Sequence, residues 1–274
     1  MVDHVVHPFA LVPRMSRRWP EHLWIVRHGQ SAGNVARDVA QAAGHAVIDI
    51  AGRDVDVPLS ALGEEQAAAL GRWFAAMPEE QRPTTVLVSP YARARQTMEA
   101  VKKAGGLHPD ACIEVDERLR EKEFGVLDRL TRAGIEQLFP DQAEARARTG
   151  KFYHRPPGGE SWCDVILRLR SVLDTLSLHH AGPGSRVLIV AHQVIVLCLR
   201  YLFEGMTEEE ILAIDRAGDV ANCGVTEYAL DPTPGSPNTT GSGKLRLVTY
   251  NFVAPLERAG APVTASPDVP AGPR

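Results

Sequence analysis

Leu23-Trp24-Ile25-Val26-Arg27-His28-Gly29-Gln30-Ser31 decides the fold: an apolar run breaks off in an arginine, a histidine and a glycine. Such a run reads as a buried strand that carries polar groups on its tip. Val187-Leu188-Ile189-Val190-Ala191 ends in His192 in the same way, and Val86-Leu87-Val88-Ser89 runs through Pro90 into a helix bearing Arg93. Strands buried on both faces read as unbroken apolar runs, and this is the signature of a parallel sheet covered by helices. Ligands of open α/β sheets collect at the carboxyl ends of the strands, beside the helix N-termini that follow. Three strand ends that offer two imidazoles and two guanidiniums therefore predict one anion site, and a phosphoryl group is the anion they fit.

Around these strands the helices follow from caps and spacing. Ser60 is the predicted N-cap of a helix with Glu64 and Glu65 in its first turn and a core face of Leu62, Leu70, Trp73, Phe74 and Met77. Ser161 opens another, with Val165, Ile166, Leu169, Val172, Leu173 and Leu176 inward. The stretch from Asn34 to Val57 carries few signals, and a helix of about Val194 to Phe203 follows the His192 strand. Val225 to Leu230 and Leu245 to Phe252 read as a late hairpin around a Pro/Gly/Ser/Thr-rich loop. The expected fold is an α/β three-layer αβα sandwich with a mostly parallel central sheet and an inserted lid at about 111–160, closed by Pro156-Pro157-Gly158-Gly159. Residues 21–254 would form the domain, 1–20 a disordered N-terminal extension with Met15 as an alternative start, and 255–274 a disordered tail.

Bulk composition narrows the function classes. Of 274 residues, 44% are hydrophobic and 23% charged, and a net charge of -4 gives no general attraction to nucleic acid or anionic membrane. No segment approaches the 18 or so uninterrupted apolar residues of a membrane span, and the first twenty residues lack a secretory h-region. Cys112, Cys163, Cys198 and Cys223 show no paired spacing, so neither a zinc knuckle nor a disulfide framework is expected, and a cytoplasmic location is.

Five segments in order carry a resemblance: Arg27-His28-Gly29 with Ser31 and Asn34; Ser89-Pro90-Tyr91-Ala92-Arg93-Ala94-Arg95-Gln96-Thr97; Leu119-Arg120-Glu121-Lys122-Glu123-Phe124-Gly125; Gly159-Glu160-Ser161; and Val190-Ala191-His192. Together they resemble the histidine phosphatase superfamily, the phosphoglycerate mutase-like family, over residues of about 23 to 230. The resemblance implies catalysis by His28 as nucleophile, Glu121 as general acid and His192 as a donor to the phosphoryl oxygens, with Arg27, Asn34, Arg93 and Gln193 binding phosphate. Glu123 is the competing acid. Nucleophilic attack requires a neutral His28 ring, and neighbouring guanidiniums favour that form because like charges disfavour imidazolium.

The resemblance further implies a metal-independent histidine acid-type phosphatase with no cofactor, acting on a small-molecule phosphomonoester through a phosphohistidine, as a monomer or homodimer without nucleic-acid or membrane partners. After Gly125 the chain reads Val126-Leu127-Asp128-Arg129-Leu130-Thr131, which departs from the mutase pattern and favours the phosphatase branch. The alternatives are a mutase or sugar bisphosphatase gripping a second phosphate with Arg146, Arg148 or Lys151, and a non-catalytic phospho-ligand-binding regulator. Those lid bases and Arg155 are read as a solvated face, and His179-His180 as an exposed helix end.

Overall fold

The computed structural model describes residues 17–232 and 243–266. In chain order the elements are β1 (Pro20–Arg27), α1 (Ala32–Ala42), α2 (Ala61–Ala75), β2 (Thr85–Val88), α3 (Ala92–Lys103), β3 (Cys112–Val115), α4 (Arg132–Leu138) and α5 (Pro140–Tyr153). They continue with α6 (Trp162–His179), β4 (Gly182–Ala191), α7 (Gln193–Glu204), α8 (Glu208–Ala217), β5 (Val225–Pro232), β6 (Gly243–Phe252) and α9 (Ala254–Ala259).

One six-stranded sheet has the order β3-β2-β4-β1-β5-β6. The pairs β3/β2, β2/β4 and β4/β1 are parallel, and β5 and β6 add an antiparallel edge. Alternation along the strands explains the layers, since successive side chains point to opposite faces. Leu23, Ile25, Leu87, Val187 and Ile189 pack toward α6 and α7, where they join Leu169, Val172 and Leu197. Trp24, Val26, Val86, Val88, Leu188 and Val190 face the other way, onto Leu70, Phe74, Ala94 and Met98 of α2 and α3 and Leu256 of α9. Both faces are thus buried, which is why these strands carry no polar alternation.

Register then builds the site. Arg27 lies opposite Ala191, and Val88 opposite Val190, so β1, β2 and β4 end at one level. Backbone bonds from His28 N–H to Ala191 O (3.0 Å) and from Ser89 N–H to Val190 O (3.0 Å) carry the ladder one residue past the strands. His28, Ser89 and His192 are thereby neighbours by construction.

Caps and helix faces match the sequence in part. Ser60 accepts from Gly63 N–H, and Ser161 forms a full capping box with Asp164. All six expected apolar positions of α6 are buried. On α2, Leu70 and Phe74 are buried, whereas Leu62, Trp73 and Met77 are only partly covered, and Ala67, Ala69 and Gly71 fill the contact with α3.

Helix α1 runs into the weakly signalled Asn34 to Val57 stretch from its Ser31 cap. Two expectations need correction. Cys112–Val115 is not part of the lid: it pairs with β2 as the edge strand of the central sheet. The chain from 255 to 266 is not a disordered tail, because Leu256 is fully buried and Thr264 O accepts from Asn222 N–H. The expected extension lies largely in residues 1–16, and most of the hairpin loop in 233–242, outside the described residues. No helix among the described residues is long and apolar enough to cross a membrane.

Candidate active site

The β1 tip delivers Arg27 and His28 into a cavity, and close backbone packing fixes the turn that follows. A Cβ on Gly29 would stand 2.5 Å from Gly63 O, and one on Gly63 would stand 1.9 Å from Gln30 O, so two glycines let the turn press against the start of α2. Gly29 N–H donates to Thr97 Oγ1 at 3.1 Å, and Thr97 Oγ1–H donates to Arg93 O at 2.8 Å, which ties the β1 turn to α3.

His28 is 3% exposed. Its Nδ1 lies 2.7 Å from Gly29 O and Arg93 Nε–H points at its Nε2 from 3.2 Å. A carbonyl can only accept and a guanidinium can only donate, so the two contacts define the neutral tautomer with its proton on Nδ1 and its lone pair on Nε2. Burial holds the ring well below the usual histidine pKa, helped by the Arg93 and Arg27 charges and, more weakly, by Arg37; the Gly29 carbonyl opposes them. The His28 ring is therefore neutral at neutral pH, with its Nε2 lone pair exposed to the Arg93 side.

His192 stacks edge-on against His28 with ring centroids 5.1 Å apart and against Tyr91 at 4.9 Å. It is fully buried behind His28 rather than on the open wall. Burial first, then the charge of Arg93, keeps it well below the usual pKa. Ser89 Oγ is 2.7 Å from Nε2, and Nδ1 is a buried nitrogen with no hydrogen-bond partner among the described residues.

Arg93 is 5% exposed, on the first turn of α3. Asp54 Oδ1 and Oδ2 accept from its Nη1 and Nη2 at 3.0 and 3.1 Å, which leaves the Nε side facing His28. Asn34 Oδ1 is used by the capping box with Ser31, so the amide N–H groups are its remaining donors, and the residue lines the cavity. Arg27 donates to Val220 O and to Ser266 O, the second of these supplied by the segment expected to be disordered.

Glu121 and Glu123, the two candidate acids, separate cleanly. Glu121 is on the wall of the same cavity as His28, Arg27, Asn34 and Arg93. Glu123 is exposed and accepts from the Tyr91 hydroxyl at 3.2 Å. Gly125 explains how the acid loop is seated: its φ is +56°, and a Cβ would meet Pro157 O at 2.1 Å. Glu160 secures the other side, accepting from Arg168 Nε (2.9 Å), Arg120 Nη2 (2.9 Å) and Glu123 N–H (3.1 Å). Burial raises the Glu160 carboxyl, but the Arg168 hydrogen bond and charge outweigh it and hold the group below its usual pKa. The sequence marked Glu160 only within the Gly159-Glu160-Ser161 segment; its tethering role depends on Arg168, a helix residue with no local signal.

Gln193 is the departure from the predicted set. Its amide donates to Asp219 Oδ1 at 2.9 Å and it lies outside the cavity wall, so those donors are not offered to an anion. Three of the lid bases are engaged with carboxylates outside the cavity. Lys151 binds both oxygens of Asp215 at 2.7 Å, Arg155 pairs with Asp164, and Arg148 faces Glu144. In their place the cavity holds Arg37 and Arg129, with Asp54 and Asp128, none of which the sequence marked. A larger cleft of about 690 Å³ lies between α2 and α3, but its walls carry neither histidine.

The family model of the histidine phosphatase superfamily (branch 1) matches residues 23–238. The chain belongs to the histidine phosphatase superfamily. This member is 32% identical over 221 residues to a 6-phosphofructo-2-kinase/fructose-2,6-bisphosphatase of Caenorhabditis elegans, covering 77% of this chain and 42% of the relative. It is 27% identical to a phosphoglycerate mutase-like protein of Arabidopsis thaliana, over 74% of this chain and 72% of that one. Among solved structures it is similar to a mycobacterial glucosyl-3-phosphoglycerate phosphatase, with a TM-score of 0.63, 26% identity, and coverage of 85% of this chain and 99% of the other. The chain spans about two-fifths of the length of the bisphosphatase relatives it matches, 42% and 40%.

Proposed function

We propose that this superfamily member is a phosphomonoesterase that hydrolyses small phosphorylated metabolites through a phosphohistidine on His28, without a metal ion. One observation carries the reading: a buried neutral imidazole with its Nε2 lone pair turned toward a guanidinium, in one cavity with a carboxyl group. The fructose-2,6-bisphosphatases and the glucosyl-3-phosphoglycerate phosphatase among its relatives act on metabolites of this class by their names.

The reaction runs in two balanced steps. The phosphoryl group docks on Arg27, Arg93 and Asn34, and its charge draws the Arg93 Nε–H contact away from the His28 lone pair. Nε2 then forms a bond to phosphorus as the bond to the ester oxygen breaks, and Glu121, protonated, gives its proton to the leaving alkoxide. In the second step water attacks phosphorus, Glu121 takes its proton, the phosphorus–nitrogen bond breaks and phosphate departs. Guanidinium groups and the His192 ring supply the charge stabilisation on which phosphoryl transfer chiefly depends.

The test is a rapid acid or alkaline quench during turnover of labelled substrate, with and without a chelator. An acid-labile, alkali-stable phosphoenzyme absent from His28→Ala, with phosphate release unaffected by the chelator, is the expected result. Turnover with no trapped intermediate under conditions of slowed dephosphorylation, or dependence on added metal, would sink the proposal.

A further inference from the structure

The cavity holds two pairs of arginines, and the chemistry above uses one. Arg27 and Arg93 flank the nucleophile; Arg37 and Arg129 reach the same cavity from elements that carry no catalytic group. Arg37 lies on α1 three residues after Asn34, a spacing that puts both on one helix face. Arg129 follows the acid loop in a left-handed conformation, φ +59°. Both charges act on Asp128, and the Arg129 side chain is 37% exposed where that of Arg93 is 6%, which puts Arg129 toward the cavity rim.

The rim that carries this pair is built. Residues 45–50 and 129–131 are zipped together: Ile48 N–H donates to Arg129 O at 2.8 Å, Thr131 N–H to Ala46 O at 3.0 Å, and Arg129 Nη1 to Ile50 O at 3.1 Å. A Cβ on Gly134 would stand 1.9 Å from Ala46 O, so glycine there permits the closeness of the two segments. Asp128 Oδ1 accepts from the Arg129 backbone N–H at 2.9 Å, but the guanidinium Nε stands 3.9 Å from Asp128 Oδ2, outside hydrogen-bond range, so the neighbouring carboxylate does not consume the guanidinium's donors.

We propose that Arg37 and Arg129 form a second anion subsite, which selects phosphomonoesters bearing a further carboxylate or phosphate. The inference rests on the phosphomonoesterase reading for its turnover assay, and deepens it by naming the substrate class. Planar guanidiniums suit carboxylate and phosphate oxygens alike, and Asp128 beside them offers an acceptor for a hydroxyl between the two anions.

The experiment uses matched pairs: 3-phosphoglycerate against glycerol 3-phosphate for a carboxylate, and glucose 1,6-bisphosphate against glucose 6-phosphate for a phosphate. Full-length protein is compared with Arg37→Ala, Arg37→Lys and Arg129→Asn, the last because asparagine tolerates the positive φ. On at least one pair the bis-anion should lead in kcat/KM by about tenfold or more, the scale of a charge-assisted hydrogen bond. Arg37→Ala and Arg129→Asn should erase most of that lead, with a much smaller fall for the mono-anionic partner and partial rescue by Arg37→Lys. The mono-anionic rate also reports whether each variant is folded. No lead on either pair, or equal losses on both members of a pair, overturns the subsite. The same ratios are measured as Kd in the His28→Ala background, so a binding preference that persists without any turnover would keep the subsite and reject the hydrolase reading instead.

Discussion

The deep and outer ends of this cavity are made in different ways. At the deep end, His28, His192 and Arg93 are each 5% exposed or less, and each follows a sheet strand directly or after a single turn. At the outer end, Arg37 comes from the side of a helix and Arg129 from a left-handed loop residue whose side chain is 37% exposed. Backbone register places the first group, whereas the second depends on side chains that reach in from a helix face and from a loop pinned to residues 45–50.

Replacing His28 by alanine should break the deep end outright. A loss of about 10⁴-fold or more in kcat is expected by the scale of other nucleophile removals, whereas Arg37→Ala should cost a small fraction of that on any substrate. Stopped-flow phosphate release on both variants checks it, and comparable losses would erase the distinction between the two ends. Next in size is Glu121→Gln, expected to slow alkyl phosphates by about 10²- to 10⁴-fold. Nitrophenyl phosphate, whose leaving group hardly needs a proton, should lose far less. Equal slowing of both esters would remove Glu121 from the acid role and reopen Glu123.

The same contrast governs what was legible in the sequence. An apolar run that ends in Arg27-His28-Gly29 or in His192 announces both strand and tip, because buried parallel strands cannot alternate and their ends must meet solvent or ligand. The separation of Glu121 from Glu123 followed from motif register, and the structure puts the former on the cavity wall. Arg37 and Arg129 left no such trace, since surface-helix and loop arginines are usually solvated, and only the pairing of 45–50 with 129–131 brings them in. Gln193 erred in the opposite direction: its place after His192 suggested a ligand, but Asp219, 26 residues away, claims its amide. The end of the chain was misread because its Ala/Pro/Gly composition hides Leu256 and the Ser266 carbonyl, whose partners are long-range.

Asp54 joins the two ends, as a rim carboxylate that holds the buried Arg93 through two Nη contacts. Asp54→Asn keeps the shape but lacks the charge and one acceptor, so Arg93 should lose its fixed orientation. About a tenfold fall in kcat/KM is expected, on the scale of one hydrogen bond between charged groups. It should apply equally to mono- and bis-anionic esters, unlike the loss from Arg37→Ala. A loss confined to bis-anionic esters would move Asp54 from the deep end to the rim.

Acidification gives the most diagnostic effect, because it reads stability and not rate. His28 and His192 are held well below the usual histidine value by burial first and then by Arg93, whereas in the unfolded chain they titrate near 6.5. As pH falls below about 6.5 the unfolded state takes up protons that the native state refuses, so stability declines with a slope of up to about 1.4 kcal/mol per pH unit for each such histidine. The decline ends only when the native rings themselves protonate. Urea unfolding at pH 7.5 and 5.5 should show this loss, to which His154 and His180, also lowered by burial, add, and His28→Ala should lessen it by removing one of the contributing rings. Arg37→Ala should leave the slope nearly intact, because arginine does not titrate in this range and Arg37 is the last of the charges acting on His28. An equal change of slope in both variants would mean that the rim, and not the burial of the strand tips, sets the protonation of the nucleophile.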